Sequence, residues 1–87
     1  MKSHTAMRFW KFYATLPEAV QRQAHEAYEL WKKNPYHPSL QFKRVDNRDP
    51  IYSVRVGRGY RALGWLEANT ITWYWLGNHD DYDRLLR

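Results

Sequence analysis

The apolar positions of this chain change period twice. From Ala6 onward, Phe9, Trp10, Phe12, Tyr13 and Leu16 recur at spacings of three and four, which predicts one face of a short helix. Thr15-Leu16-Pro17-Glu18 carries a capping-box pattern with proline early in the following turn, so a second helix is expected to begin about there. Its buried stripe reads Val20, Ala24, Ala27, Tyr28 and Trp31, with Gln21, Arg22, His25, Glu26, Glu29, Lys32 and Lys33 on wetter sides. Asn34 and Pro35 stop that helix, and two prolines keep Tyr36-His37-Pro38-Ser39 extended. The period then falls to two: Leu40, Phe42 and Arg44 alternate with Gln41, Lys43 and Val45, predicting a first strand over about 40–45. Asp46-Asn47-Arg48-Asp49-Pro50 is turn composition.

The stretch from Ile51 to His79 reads as two linked β-hairpins. Gly57-Arg58-Gly59 is a three-residue hairpin closure that sets Arg55 opposite Arg61. Like charges directly opposed cost a few tenths of a kcal/mol up to about 1, a penalty that makes sense if an anion lies between them. A second turn at Ala68-Asn69 pairs Leu66 with Ile71, Gly64 with Trp73 and Ala62 with Trp75, small against large. In that register one face holds Val54, Val56, Ala62, Leu66, Ile71, Trp73 and Trp75 and forms the core. The other holds Ser53, Arg55, Arg61, Leu63, Trp65, Thr72 and Tyr74 and forms a basic, aromatic surface; a slip of one residue exchanges the faces of a strand.

After Gly77 the helical pattern returns. Asn78 is placed as an N-cap, with Asp80, Asp81 and Asp83 near the positive end of the dipole and Tyr82, Leu85 and Leu86 as a small apolar edge. Met1 to Thr5 reads as a frayed lead-in, and for the residues from Ala6 a short initial strand is the alternative to a helix. The expected architecture is α+β: an N-terminal helical hairpin packed on a four-stranded antiparallel sheet and closed by a short C-terminal helix. At 87 residues this is a single domain spanning 1–87.

Composition narrows the partners. Fourteen basic against nine acidic residues give a formal charge of +5, which suits an anionic partner such as nucleic acid or an acidic protein. The absence of cysteine excludes disulfides, thiol nucleophiles and thiolate zinc sites. No apolar run approaches the roughly 20 residues that span a membrane, so no membrane partner and a cytoplasmic location are expected.

The usual catalytic signatures are missing: there is no glycine-rich phosphate loop and no pair of histidines at helical metal-ligand spacing. Asp80, Asp81 and Asp83 have a structural explanation at the helix start, so neither metal nor cofactor is called for. What converges is a set suited to phosphate. Arg55 and Arg61 can neutralise a phosphate and the added charge of a pentacoordinate transition state. His79, of a residue type that exchanges protons near neutrality, ends the last strand, and Tyr82 follows one helical turn later. RNA supplies its own nucleophile in the 2′-hydroxyl, so a protein that bends the backbone, takes that proton and offsets phosphate charge cleaves RNA without a metal. Lys43 and Arg58 extend the positive track, and Trp65 and Tyr74 are placed to stack on splayed bases.

These residues resemble the RelE/ParE superfamily of bacterial type II toxins. The likeness runs through Phe9 to Leu16 with Pro17-Glu18, Asn34-Pro35, His37-Pro38-Ser39-Leu40 before Lys43, Tyr52-Ser53-Val54-Arg55-Val56, Tyr60-Arg61-Ala62-Leu63, and Trp75-Leu76-Gly77-Asn78-His79 with Tyr82-Asp83. The resemblance implies the same fold and, in RelE-like members, a metal-independent ribonuclease that cuts messenger RNA, commonly on the ribosome. It implies a cognate antitoxin that wraps the toxin and often represses their shared operon, bound to operator DNA. Arg61 matches the arginine that supports the transition-state phosphate, and His79 the general acid or base of some members. Tyr82 is a looser match, and Lys43 and Arg55 correspond to basic positions of varying role. The chain departs from the family in lacking the dense lysine cluster of RelE and the usual opening strand. ParE-type members instead inhibit DNA gyrase, and an inactive antitoxin-binding homologue is a further alternative; fold does not decide among them.

Overall fold

The computed structural model describes residues 1–86. Strand β1 (Lys2–Thr5) leads into helices α1 (Met7–Ala14) and α2 (Glu18–Lys33). A single 3-10 turn at Pro38–Leu40 precedes β2 (Lys43–Arg44), β3 (Ile51–Val56), β4 (Tyr60–Glu67) and β5 (Thr70–Asn78), and α3 (His79–Leu85) follows. The sheet has five strands in the order β1-β5-β4-β3-β2. Its last four are antiparallel as expected, whereas β1 runs parallel to β5, pairing Lys2 with Thr70 through to Thr5 with Trp73.

The opening strand is therefore present, and the frayed lead-in is a correction. Polarity misled because an edge strand is held by its ladder, which needs no apolar side chain. Lys2 N donates to Asn69 O and Ala6 N to Trp73 O, at 3.0 and 2.8 Å. Two side-chain latches add to this: Ser3 Oγ meets Tyr28 Oη at 2.7 Å, and Trp10 Nε1 donates to Thr5 Oγ1 at 3.0 Å.

Both helices lie where the periodicity placed them, but their junction is built differently. Thr15 Oγ1 donates to Phe12 O at 2.7 Å and closes the end of α1, while α2 starts behind Pro17 with no side-chain cap. The α2 stripe is only partly covered: Val20 and Trp31 are buried, Ala24 and Ala27 half-buried, and Tyr28 exposed. Trp31 is the keystone, 1% exposed, meeting Trp73 and Phe42 edge to face at 5.5 and 5.8 Å. Such contacts add about 0.5–1.5 kcal/mol each beyond the area they bury.

The strand expected over 40–45 shrinks to two residues. Gln41 takes a left-handed backbone, φ 47°, in place of the extended one a regular strand needs, and pairing begins only at Lys43 with Ser53. The β3–β4 hairpin has the expected register, Arg55 opposite Arg61, with left-handed glycines at 57 and 59 turning the loop. Between β4 and β5 the expected pairs Leu66 with Ile71 and Gly64 with Trp73 form. A bulge between Leu63 and Gly64 then shifts the ladder, so that Ala62 faces Leu76 and Leu63 faces Trp75. Trp75 thus leaves the main core, correcting its expected face.

Two cores result. The main one joins Trp31, Leu40, Phe42, Val54, Val56, Ala62, Ile71, Trp73 and Leu76 under the helices. A smaller one, Leu63, Trp75 and Tyr82, sits on the other face against α3. Asn78 Oδ1 accepts from Asp81 N at 2.8 Å, the expected cap of that helix. No helix among the described residues is long and apolar enough to cross a membrane.

The second β-turn offers a test of backbone strain. Ala68 and Asn69 both adopt positive φ, 48° and 63°, as a two-residue hairpin requires. An alanine there carries a penalty of roughly 1–2 kcal/mol, partly offset by its smaller freedom when unfolded. Ala68→Gly is expected to stabilise the fold by about 0.5–1 kcal/mol, read as a higher urea midpoint at unchanged slope.

Candidate functional site

Arg61 sits on β4 with its side chain on the α3 face, two rungs from Ser53 and directly across from Arg55. It is 6% exposed, unlike the solvated surface arginine that the sequence suggested. Its guanidinium is fixed by neutral oxygens. Nε donates to Ser53 Oγ at 2.6 Å, Nη1 to Gln41 Oε1 at 3.0 Å and Nη2 to Gln41 O at 3.1 Å. Its Cζ lies 5.3 Å from the centre of the Tyr82 ring, within cation–π range. No carboxylate is among these contacts, so the charge is held in place but not cancelled. Desolvation by burial is the main influence pushing its pKa below the ordinary arginine value; Tyr82 opposes it and the charge of Arg55 adds to it.

The start of α3 brings Tyr82 against Arg61 and His79 against Tyr82. Tyr82 is 7% exposed, held by Trp75 at 6.5 Å between ring centres. The His79 ring stands edge-on to Tyr82 at 5.6 Å and is open to solvent. Its Nδ1 lies 3.4 Å from Asp83 Oδ1, one helical turn on. His79 N donates to Gly59 O at 2.9 Å, which ties the β3–β4 loop to the start of α3. Arg58, exposed in that loop, is thereby kept at the same end of the sheet as His79.

The other predicted residues are spread more widely. Arg55 is half-buried beside Arg61; Lys43 is exposed on β2, sharing a rung with Ser53. Trp65 lies four residues along β4 from Arg61, about 13 Å at strand rise, with the buried Leu63 between them. Tyr74 is engaged rather than free: the Arg8 guanidinium covers its ring at 5.0 Å, and burial pushes its phenol pKa up. Arg61, Tyr82 and His79 line neither the groove under the helices nor the hollow beside Pro17 and Asn78. A concavity of about 290 Å³ is an apolar groove between α1 and α2 with Val54, Ala62, Trp73 and Leu76 as its floor.

Three participants escaped the sequence reading. Asp83, at i+4 from His79, had a legible signal in its spacing. Ser53 showed only as a small hydroxyl inside an apolar strand. Gln41 had no signal, because its role depends on a left-handed backbone. Two of the three aspartates of α3 have protein partners: Asp81 pairs with Arg84 at 3.1 Å, and Asp83 faces His79.

Comparison with known proteins agrees with this architecture. The family model described as ParE-like toxin domain matches residues 18–84. The RelB–RelE antitoxin–toxin complex of Methanococcus jannaschii contains a similar chain: TM-score 0.76 at 16% identity, covering 97% of this chain and 99% of that one. YafQ of E. coli strain BL21(DE3) superposes with TM-score 0.73 at 9% identity over 93% and 96% of the two chains. The YoeB/ParE toxin of Agrobacterium tumefaciens gives 0.70 at 13% identity over 91% and 99%. No curated protein sequence matches the chain.

The buried, uncancelled charge makes a stability prediction. Replacing a buried ionic group by an apolar one of similar volume is often stabilising by about 1–4 kcal/mol, provided that no partner is orphaned. Ser53 is fully buried, so it is changed together with Arg61. The Arg61→Met, Ser53→Ala double variant is expected to unfold at higher urea than the parent; Arg61→Met alone, which strands the Ser53 hydroxyl, gains less.

Proposed function

The chain belongs to the ParE-like toxin family, within the RelE/ParE superfamily, and from that premise we propose that it is a metal-independent endoribonuclease toxin that cuts messenger RNA. The observation that carries this reading is the Arg61 guanidinium, held by neutral oxygens beside Tyr82, whose ring in turn meets that of His79. Five N–H donors less three committed leaves two for an RNA phosphate. In the proposed reaction the 2′-hydroxyl loses its proton and attacks the adjacent phosphorus. The bond to the 5′ oxygen breaks, and that oxygen takes up a proton, giving a cyclic phosphate and a new 5′-hydroxyl end. Arg61 offsets the charge added at phosphorus. His79 serves as acid or base, with Asp83 orienting its ring, and Tyr82 backs the guanidinium. Arg55, Arg58 and Lys43 draw in the backbone, and Trp65 stacks on a base further along.

The assembly is proposed on the same premise. The Methanococcus jannaschii relative is held in an antitoxin–toxin complex, and we extend such a partner to this chain, in the cytoplasm, with the pair binding operator DNA and the free toxin acting on ribosome-bound mRNA. The apolar groove between α1 and α2 fits an acidic, amphipathic antitoxin segment, given a chain charge of +5. A gyrase-inhibiting toxin is the second reading, favoured by the burial of Arg61 and Tyr82, because a toxin that works by protein contact needs no accessible phosphate site.

Two outcomes test these readings. Induction in bacteria is expected to produce transcripts with new 5′-hydroxyl ends, and Arg61→Ala with His79→Ala to lower cleavage by about 10² or more; growth arrest with DNA breaks and intact transcripts establishes the gyrase reading instead. Trp10→Glu places an acidic group on the exposed wall of the groove. It is expected to leave cleavage intact while co-expressed antitoxin no longer restores growth.

A further inference from the structure

We infer that Gln41 is the positioning residue for Arg61, and that the site requires it to be uncharged. This rests on the ribonuclease reading, since a substrate phosphate is what the preserved charge would meet. Gln41 reaches both terminal nitrogens of Arg61, one through its amide oxygen at 3.0 Å and one through its own carbonyl at 3.1 Å. That is the two-pronged grip a carboxylate usually supplies to arginine. A carboxylate would cancel the charge; an amide and a peptide carbonyl fix the plane of the guanidinium and leave it positive.

The backbone is shaped to deliver this grip. Gln41 is left-handed, φ 47° and ψ 44°, a conformation uncommon for a residue with a long side chain. It persists because its neighbours over-determine it. Leu40 and Phe42 on either side are buried in the main core, at 2% and 7% exposure. The turn before it is closed by Leu40 N to His37 O at 3.0 Å and by His37 Nδ1, which accepts from Ser39 N at 3.2 Å. The strain is stored beside the site, where it aims a carbonyl at Arg61 instead of continuing a strand. Ser53 completes the hold from the Nε side, again with a neutral oxygen.

The isosteric Gln41→Glu substitution separates charge from geometry. The probe is inorganic phosphate at constant ionic strength and pH, followed by the Arg61 Nε–H signal in NMR, with cleavage of a transcript measured in parallel. In the parent, phosphate is expected to shift that signal; in Gln41→Glu it takes at least tenfold more phosphate, and cleavage falls at least tenfold while the thermal midpoint is kept or raised. Gln41→Met removes one prong without adding charge. It is expected to hold phosphate affinity within about twofold while kcat falls with little change in KM, as suits a misaimed cation. Equal phosphate affinity in Gln41→Glu and the parent overturns the inference, as does unchanged kcat in Gln41→Met. A parent that cleaves no RNA yet shows the Gln41→Glu loss of phosphate binding removes the ribonuclease reading and leaves the positioning role standing.

Discussion

One extra residue in β5 decides the direction of every side chain that follows it. The bulge opposite Leu63 and Gly64 lets Trp73 and Leu76 both enter the core beneath the helices, three residues apart, which a regular strand forbids. Trp75 is sent to the other face, where it seeds the small core with Leu63 and Tyr82. Without that seed α3 has no apolar ledge to rest on, and Tyr82 does not reach Arg61. The site at the sheet's end thus follows from an irregularity in the ladder.

Much of this was legible because it follows from period and turn chemistry. The helices, the cap at Asn78 and the Arg55–Arg61 opposition all come from local rules that tertiary packing left alone. The misses have specific physical sources. Lys2–Thr5 was hidden because ladder bonds carry no side-chain signature. The face of Trp75 was misread because a bulge is not written in composition, and the strand before Lys43 was overextended because glutamine gave no hint of a left-handed turn. Arg61, His79 and Tyr82 were each visible, but the depth of Arg61 and its holders were not, since both depend on strands and a turn brought together from distant parts of the chain.

The arrangement around Arg61 sets stability against usefulness. A guanidinium withdrawn from water favours a carboxylate partner, and the fold offers hydroxyl, amide and carbonyl oxygens instead. Tyr82 adds the face of its ring, a further attraction without a formal charge. The domain tolerates an electrostatic deficit at one rim, and its two aromatic cores carry the load elsewhere.

The parallel pairing of β1 with β5 also governs when the molecule can be finished. Residues 2–5 leave the ribosome well before their ladder partners at 70–73. Both helices are likewise synthesised before the strands they cover, so their aromatic faces wait uncovered while translation proceeds. Closure at such long sequence separation is slow, and it cannot begin until residues 70–73 have been made. During its own synthesis, then, a nascent copy stays unassembled and open to capture.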